Sequence, residues 1–142
     1  VGWHDFKLFR SIPLDQLNLP VYDDFAAPVR LFGRVETRNG RLLEGVLVYD
    51  LDEAMDFELL DGQNGNISYR IPFKYLRKIE PKNYKYTWVK LSGEIELVLG
   101  TMCDVTAAND GVLVFRAGGE VVYVRWRDVK RIELWTKVKQ ND

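Results

Sequence analysis

The sequence predicts an all-β protein made of two tandem five-stranded small barrels with an N-terminal arm. Three observations lead there. Residues 71–80 read IPFKYLRKIE, and 53 residues later 124–133 read VRWRDVKRIE, with eight of the ten aligned pairs keeping their chemical class. The segments between these phrases are short, alternate apolar with polar, and are split by turn residues. Aromatics make up 13% of the chain, which suits short strands whose faces are covered by few large side chains. A repeat of about 50 residues present only twice points to a pair of barrels rather than an extended solenoid. The expected boundaries are an arm at 1–28, a first barrel at 29–82, a second at 83–138 and a tail at 139–142.

The first unit opens with VRLFGRVET, which puts Val29, Leu31, Gly33, Val35 and Thr37 on one face. Asn39-Gly40 follows as a hairpin signal, since both residues tolerate positive φ. RLLEGVLVYD reads as a second strand with a bend or bulge at Gly45. MDFELLD is a third, closed by the turn-rich GQNGN. ISYRIPF is a fourth, with Pro72 confined to an edge or a strand end because it cannot donate to a ladder. YLRKIEP supplies a turn and a short fifth strand. The second unit repeats the plan: YTWVKL, a turn with Gly93 standing 53 residues after Gly40, EIELVLG, the loop TMCDVTAANDG, VLVF, the turn RAGG, EVVYVRW and KRIEL. In EIELVLG, Ile95, Leu97 and Leu99 alternate with Glu94, Glu96 and Val98.

The repeated phrase is expected to close each barrel. Ile71, Phe73, Leu76 and Ile79, and likewise Val124, Trp126, Val129 and Ile132, are expected in the core. The basic residues between them, Lys74, Arg77, Lys78, Arg127, Lys130 and Arg131, then face water as on any solvated strand. A duplicated basic ligand site is the rival reading. The arm, with Trp3, Phe6, Leu8, Phe9, Ile12, Leu14, Leu17 and Leu19, is too apolar for a free linker and is expected to pack across the barrels or to pair with an edge strand, helping to hold the pair together.

NGRLLEGVLVYDLDEAMDFELLD resembles the Sm-like family of SH3-type small barrels. Gly40, Gly45 and Leu47 match its pattern, and Asp52, Met55 and Leu59 follow after one extra residue. The resemblance covers roughly 33–61 and is looser in the second unit. It implies the barrel fold. Uridine recognition does not carry over: Asp56 stands where the family has a base-contacting Asn, and Pro72-Phe73 and Arg125-Trp126 replace its Arg-Gly pair. GTMCDVTAANDGV is similar to a loop of uncharacterised secreted bacterial proteins with paired small barrels. That likeness implies a periplasmic or secreted location, with a cytoplasmic one as the alternative.

Composition narrows the function classes. At 46% hydrophobic and 29% charged the chain is globular, and its net charge of -1 gives no global field for nucleic acid or anionic lipid. Apolar runs such as GVLVY fall far short of the roughly 18 residues of a membrane span. The single Cys103 excludes an internal disulfide, and with the one histidine, His4, four residues from the N-terminus, a Ser-His or Cys-His catalytic design is not expected. DLDEAMD and DVTAANDG carry oxygen ligands, but neither has the alternation of a calcium loop. A calcium-dependent or acidic-residue hydrolase is therefore a third-placed reading, one that would depend on Asp104. No cofactor and no catalytic residues are expected.

PKNYKYTWVK, joining the units, interleaves Lys82, Lys85 and Lys90 with Tyr84, Tyr86 and Trp88. Bases stack on aromatics while lysines meet phosphates, so a single-strand binder would use this alternation. Alternatively, the three aromatics point to one side and fill a seam between the barrels; with no wider basic patch this second reading is preferred. The expected function is a non-catalytic module that binds a protein or peptide, with single-stranded nucleic acid through 82–90 as the alternative.

Overall fold

The structure, a computed structural model, describes residues 29–135. The arm at 1–28 and the tail at 139–142 lie outside them. Ten strands follow one another: β1 Phe32–Thr37, β2 Leu42–Tyr49, β3 Leu59–Asn64, β4 Ile67–Pro72, β5 Leu76–Pro81, β6 Tyr86–Leu91, β7 Glu96–Gly100, β8 Val112–Phe115, β9 Val121–Val124 and β10 Val129–Leu134. Short 3₁₀ turns precede β5 (Phe73–Tyr75) and β10 (Trp126–Asp128). The alternation read in β1 holds, with Leu31, Gly33, Val35 and Thr37 all buried. Pro72 sits at the end of β4, itself an edge strand, where its missing N–H breaks no ladder.

Two element boundaries differ from expectation. Asp56–Glu58 is turn rather than strand, Met55 making only an isolated bridge to Arg30, and β3 runs on through Gly62, Gln63 and Asn64, inside the cluster expected to be a turn. Glu58 causes this: its carboxylate accepts the N–H groups of Ala54 and Met55 and so closes the chain into a turn. Ile95, which the sequence alternation sets with Leu97 and Leu99, is 54% exposed, because the hairpin turn 91–95 ends before the inward alternation begins.

All ten strands form one antiparallel sheet in the order β4-β3-β7-β6-β5-β10-β1-β2-β8-β9. The all-β class stands. The pairing does not give two barrels drawn each from one repeat, and the sheet is open, with β4 and β9 at its ends. β2 pairs with β8 rather than β3, and β3 meets β7. Exchanging each strand for its counterpart five places on reverses the order, so the repeats interleave about a pseudo-twofold axis between β5 and β10. At that axis Ile79 pairs with Ile132, its own counterpart 53 residues on. The phrase written twice is therefore the central seam that joins the halves, not the closure of two separate units.

A single sheet has no second layer, so it covers its apolar face by coiling on itself. One contiguous core results, taking Leu31, Val35, Leu43 and Leu47 from the first repeat and Val89, Leu99, Val112 and Val114 from the second. All eight residues expected from the repeated phrase belong to it. Tyr49 stands between the two 3₁₀ turns, 5.1 Å from the Phe73 ring and 5.7 Å from that of Trp126. Gly33 and Gly45 face each other across β1 and β2. A Cβ on Gly33 would stand 1.9 Å from the Glu133 carbonyl oxygen, and one on Gly45 2.1 Å from that of Phe115. Only glycine lets the strands approach so closely where the sheet coils.

The basic residues of the second phrase lie on the outer face. Arg131 meets Glu80 at 2.7 Å and Glu36 at 3.5 Å, and Lys130 meets Glu36 at 3.5 Å. Arg34 meets Glu133 at 2.7 Å. Asp56 accepts the Val29 N–H and ties the segment before β1 to the turn before β3. Among the described residues no helix is long and apolar enough to cross a membrane.

Candidate functional site

Interleaving requires two crossovers, one from β2 to β3 and one from β7 to β8, and the two pack against each other. Tyr49 Oη donates to the Asp104 carbonyl at 2.5 Å, Thr87 Oγ1 to the Val105 carbonyl at 2.7 Å, and the Asp61 N–H to the Asp104 carboxylate at 2.9 Å. The Asp110 N–H donates to Asp50. Asp50, Glu53 and Asp104 converge there, each offering one carboxylate oxygen within 4.8 Å of the others. The two acidic stretches that the sequence shows separately are thus one cluster. Asp50 and Leu51 both adopt positive φ, 52° and 60°, which L-residues with side chains rarely do.

Burial and mutual repulsion govern the protonation of the cluster. Burial, then a hydrogen bond and repulsion from Asp104, pushes Asp50 up to about 7, against the pull of the Asp110 N–H. Burial, with Asp52 and Asp104 close by, pushes Glu53 up to about 9. Burial also raises Asp104. Glu53 Oε2 is fully buried and has no hydrogen-bond partner among the described residues. The three carboxylates could ligate a cation, yet three fall short of the six to eight oxygens calcium takes. Burial favours the protonated form of all three carboxyls.

The joining segment lies on the outer face. Tyr84 is 70% exposed and Tyr86 49%, while Trp88 is half-buried and Thr87 and Val89 point into the core. These aromatics fill no seam, because β6 is an interior strand whose inner face is already taken by Thr87 and Val89. Nor are the lysines an open track for phosphate. Lys82 meets Glu80 at 3.3 Å, Lys90 meets Glu94 at 2.8 Å, and Trp88 Nε1 donates to Glu96 at 3.0 Å. Lys85 is exposed.

A groove of about 510 Å³ opens beside edge strand β9, between it and the β1–β2 hairpin. Leu43, Val122, Val124 and Thr37 supply its less polar wall, and Arg38, Arg41, Arg125 and Asp128 its charged rim. The repeat explains why it exists. Val122 stands 53 residues after Tyr69, and Thr37 occupies the hairpin place that Leu91 holds in the second repeat, since Thr37 N–H bonds Arg41 as Leu91 N–H bonds Ile95. At the β4 end Tyr69, Leu91 and Leu97 pack onto the core. At the β9 end smaller residues leave the space open.

Strand β9 pairs with β8 alone among the described residues. The narrow pair at Arg116 and Glu120 sets the ladder, so Val121 and Tyr123 turn their N–H and C=O away from β8. Their side chains are each 51% exposed. At the rim Arg125 meets Asp128 at 2.9 Å, Arg41 meets Glu120 at 3.8 Å, and Arg38 donates to the Arg127 carbonyl at 3.0 Å. The sequence reading singled out none of these arginines as a site. A signal was present in the places where the repeats differ most: Arg125 against Pro72, and Val122 against Tyr69. Comparison of the chain with protein-family models, with curated proteins and with solved structures finds no match.

Proposed function

We propose that the protein is a non-catalytic interaction module that binds an extended segment of a partner protein by strand addition along β9. The observation that carries this reading is the outer edge of β9, unpaired among the described residues, beside a groove. Main-chain N–H and C=O groups of Val121 and Tyr123 would supply the ladder, and the groove would receive alternate side chains. Strand addition needs neither nucleophile nor metal. The exposed Tyr84 and Tyr86, with the half-buried Trp88, become a secondary contact surface. The nucleic-acid reading recedes, because Glu80, Glu94 and Glu96 surround the lysines that would meet phosphate.

A display library of extended peptides, selected against the protein and against Val121→Pro, tests this. Proline removes an N–H that faces away from β8 and blocks a new strand, so the variant should keep its circular dichroism spectrum and Tm. Peptides enriched on the native protein should lose binding to the variant at least tenfold. Peptides that bind both equally, or no enrichment at all, would reject strand addition at β9.

A further inference from the structure

We infer that the segment taken along β9 is acidic, alternating carboxylate side chains with apolar ones; this rests on the strand-addition reading and adds the chemistry of the partner. A strand laid on β9 presents its side chains alternately to the two faces of the sheet. Those turned towards the groove meet Leu43, Val122 and Val124 on the wall and Arg38, Arg41 and Arg125 on the rim. Three arginines against one aspartate make the lining locally positive on a chain whose net charge is -1.

The rim arginines are only partly committed. Arg41 is 3.8 Å from Glu120, whose other oxygen meets Arg116 at 2.8 Å, and the Arg41 side chain is 52% exposed. Arg125 uses Nε on Asp128, and its side chain is 55% exposed. Arg38 likewise gives Nε to a carbonyl. A guanidinium fork offers paired donors that fit a carboxylate. The counterpart of Arg125 at the other sheet end is Pro72, so the acidic preference belongs to β9 alone.

Three fluorescein-labelled heptapeptides of equal strand propensity, alternating valine with glutamate, serine or lysine, test this by fluorescence anisotropy on the whole protein. The glutamate peptide should bind at least tenfold tighter than the other two. Arg41→Ala, at an exposed site, should weaken it about threefold, and the Arg38/Arg41/Arg125→Ala variant should bring it to the level of the serine peptide. Val121→Pro should remove binding of all three. Equal binding of the three peptides, lost in Val121→Pro, would overturn the acidic preference and leave strand addition standing. No binding by any peptide, or binding untouched by Val121→Pro, would overturn strand addition itself. Displacement of the glutamate peptide by oligo(dT), abolished in the triple arginine variant, would assign the rim to phosphate and overturn the acidic-peptide inference.

Discussion

Asp50, Glu53 and Asp104 are carboxyls that the two crossovers take partly out of water. Each carboxyl is raised, so the folded protein holds protons there that the unfolded chain has already released near pH 4. Their stabilising contribution is complete below that pH and is lost as pH rises through about 7 for Asp50 and about 9 for Glu53. Glu133, held below its usual value chiefly by Arg34, acts in the opposite sense and limits stability in acid. Tm should therefore fall between pH 5.5 and pH 8.5. Asp50→Asn should flatten that fall and raise Tm at pH 8.5, by on the order of 5 °C for each kcal/mol recovered. Thermal melts across this range check it; a Tm that rises with pH, or an unchanged profile in the variant, would be the wrong sign. The sequence displayed these acids, but their convergence depends on two crossovers that no local pattern reveals.

Strands were the most legible level of the molecule. Period-2 alternation located β1, β2, β6 and β10 well, because burying one face of a pleated strand forces that pattern. It failed at Asp56–Glu58, where a side-chain-capped turn overrode the apolar residues. Among strand contacts, the seam of β5 and β10 bears the most directly on stability, since Ile79 and Ile132 are paired and almost fully buried. Ile79→Ala and Ile132→Ala should each cost about 2–5 kcal/mol, and the double variant should be non-additive because the two side chains share one site. Ile95→Ala, on a residue 54% exposed, should stay within about 0.5 kcal/mol. Urea unfolding of the four variants gives these values directly.

At the scale of the whole molecule, the repeat announced two copies of a unit but not how the copies share strands. Tandem barrels and interleaved halves make the same local demands: the same alternation, the same turns and the same buried phrase. They differ only in long-range pairing, with β2 against β8 and β3 against β7 rather than β2 against β3. A single sequence carries almost no information on that choice. The candidate binding groove depends on it completely, because Thr37–Leu43 of the first repeat and Val122–Asp128 of the second meet only in the interleaved sheet. Cross-strand nuclear Overhauser effects in isotope-labelled protein are the most direct test. The interleaved sheet predicts contacts from Leu47, Val48 and Tyr49 to Val114, Leu113 and Val112 respectively. Contacts from β2 to residues 59–64 instead would restore separate barrels and remove the groove together with the function built on it.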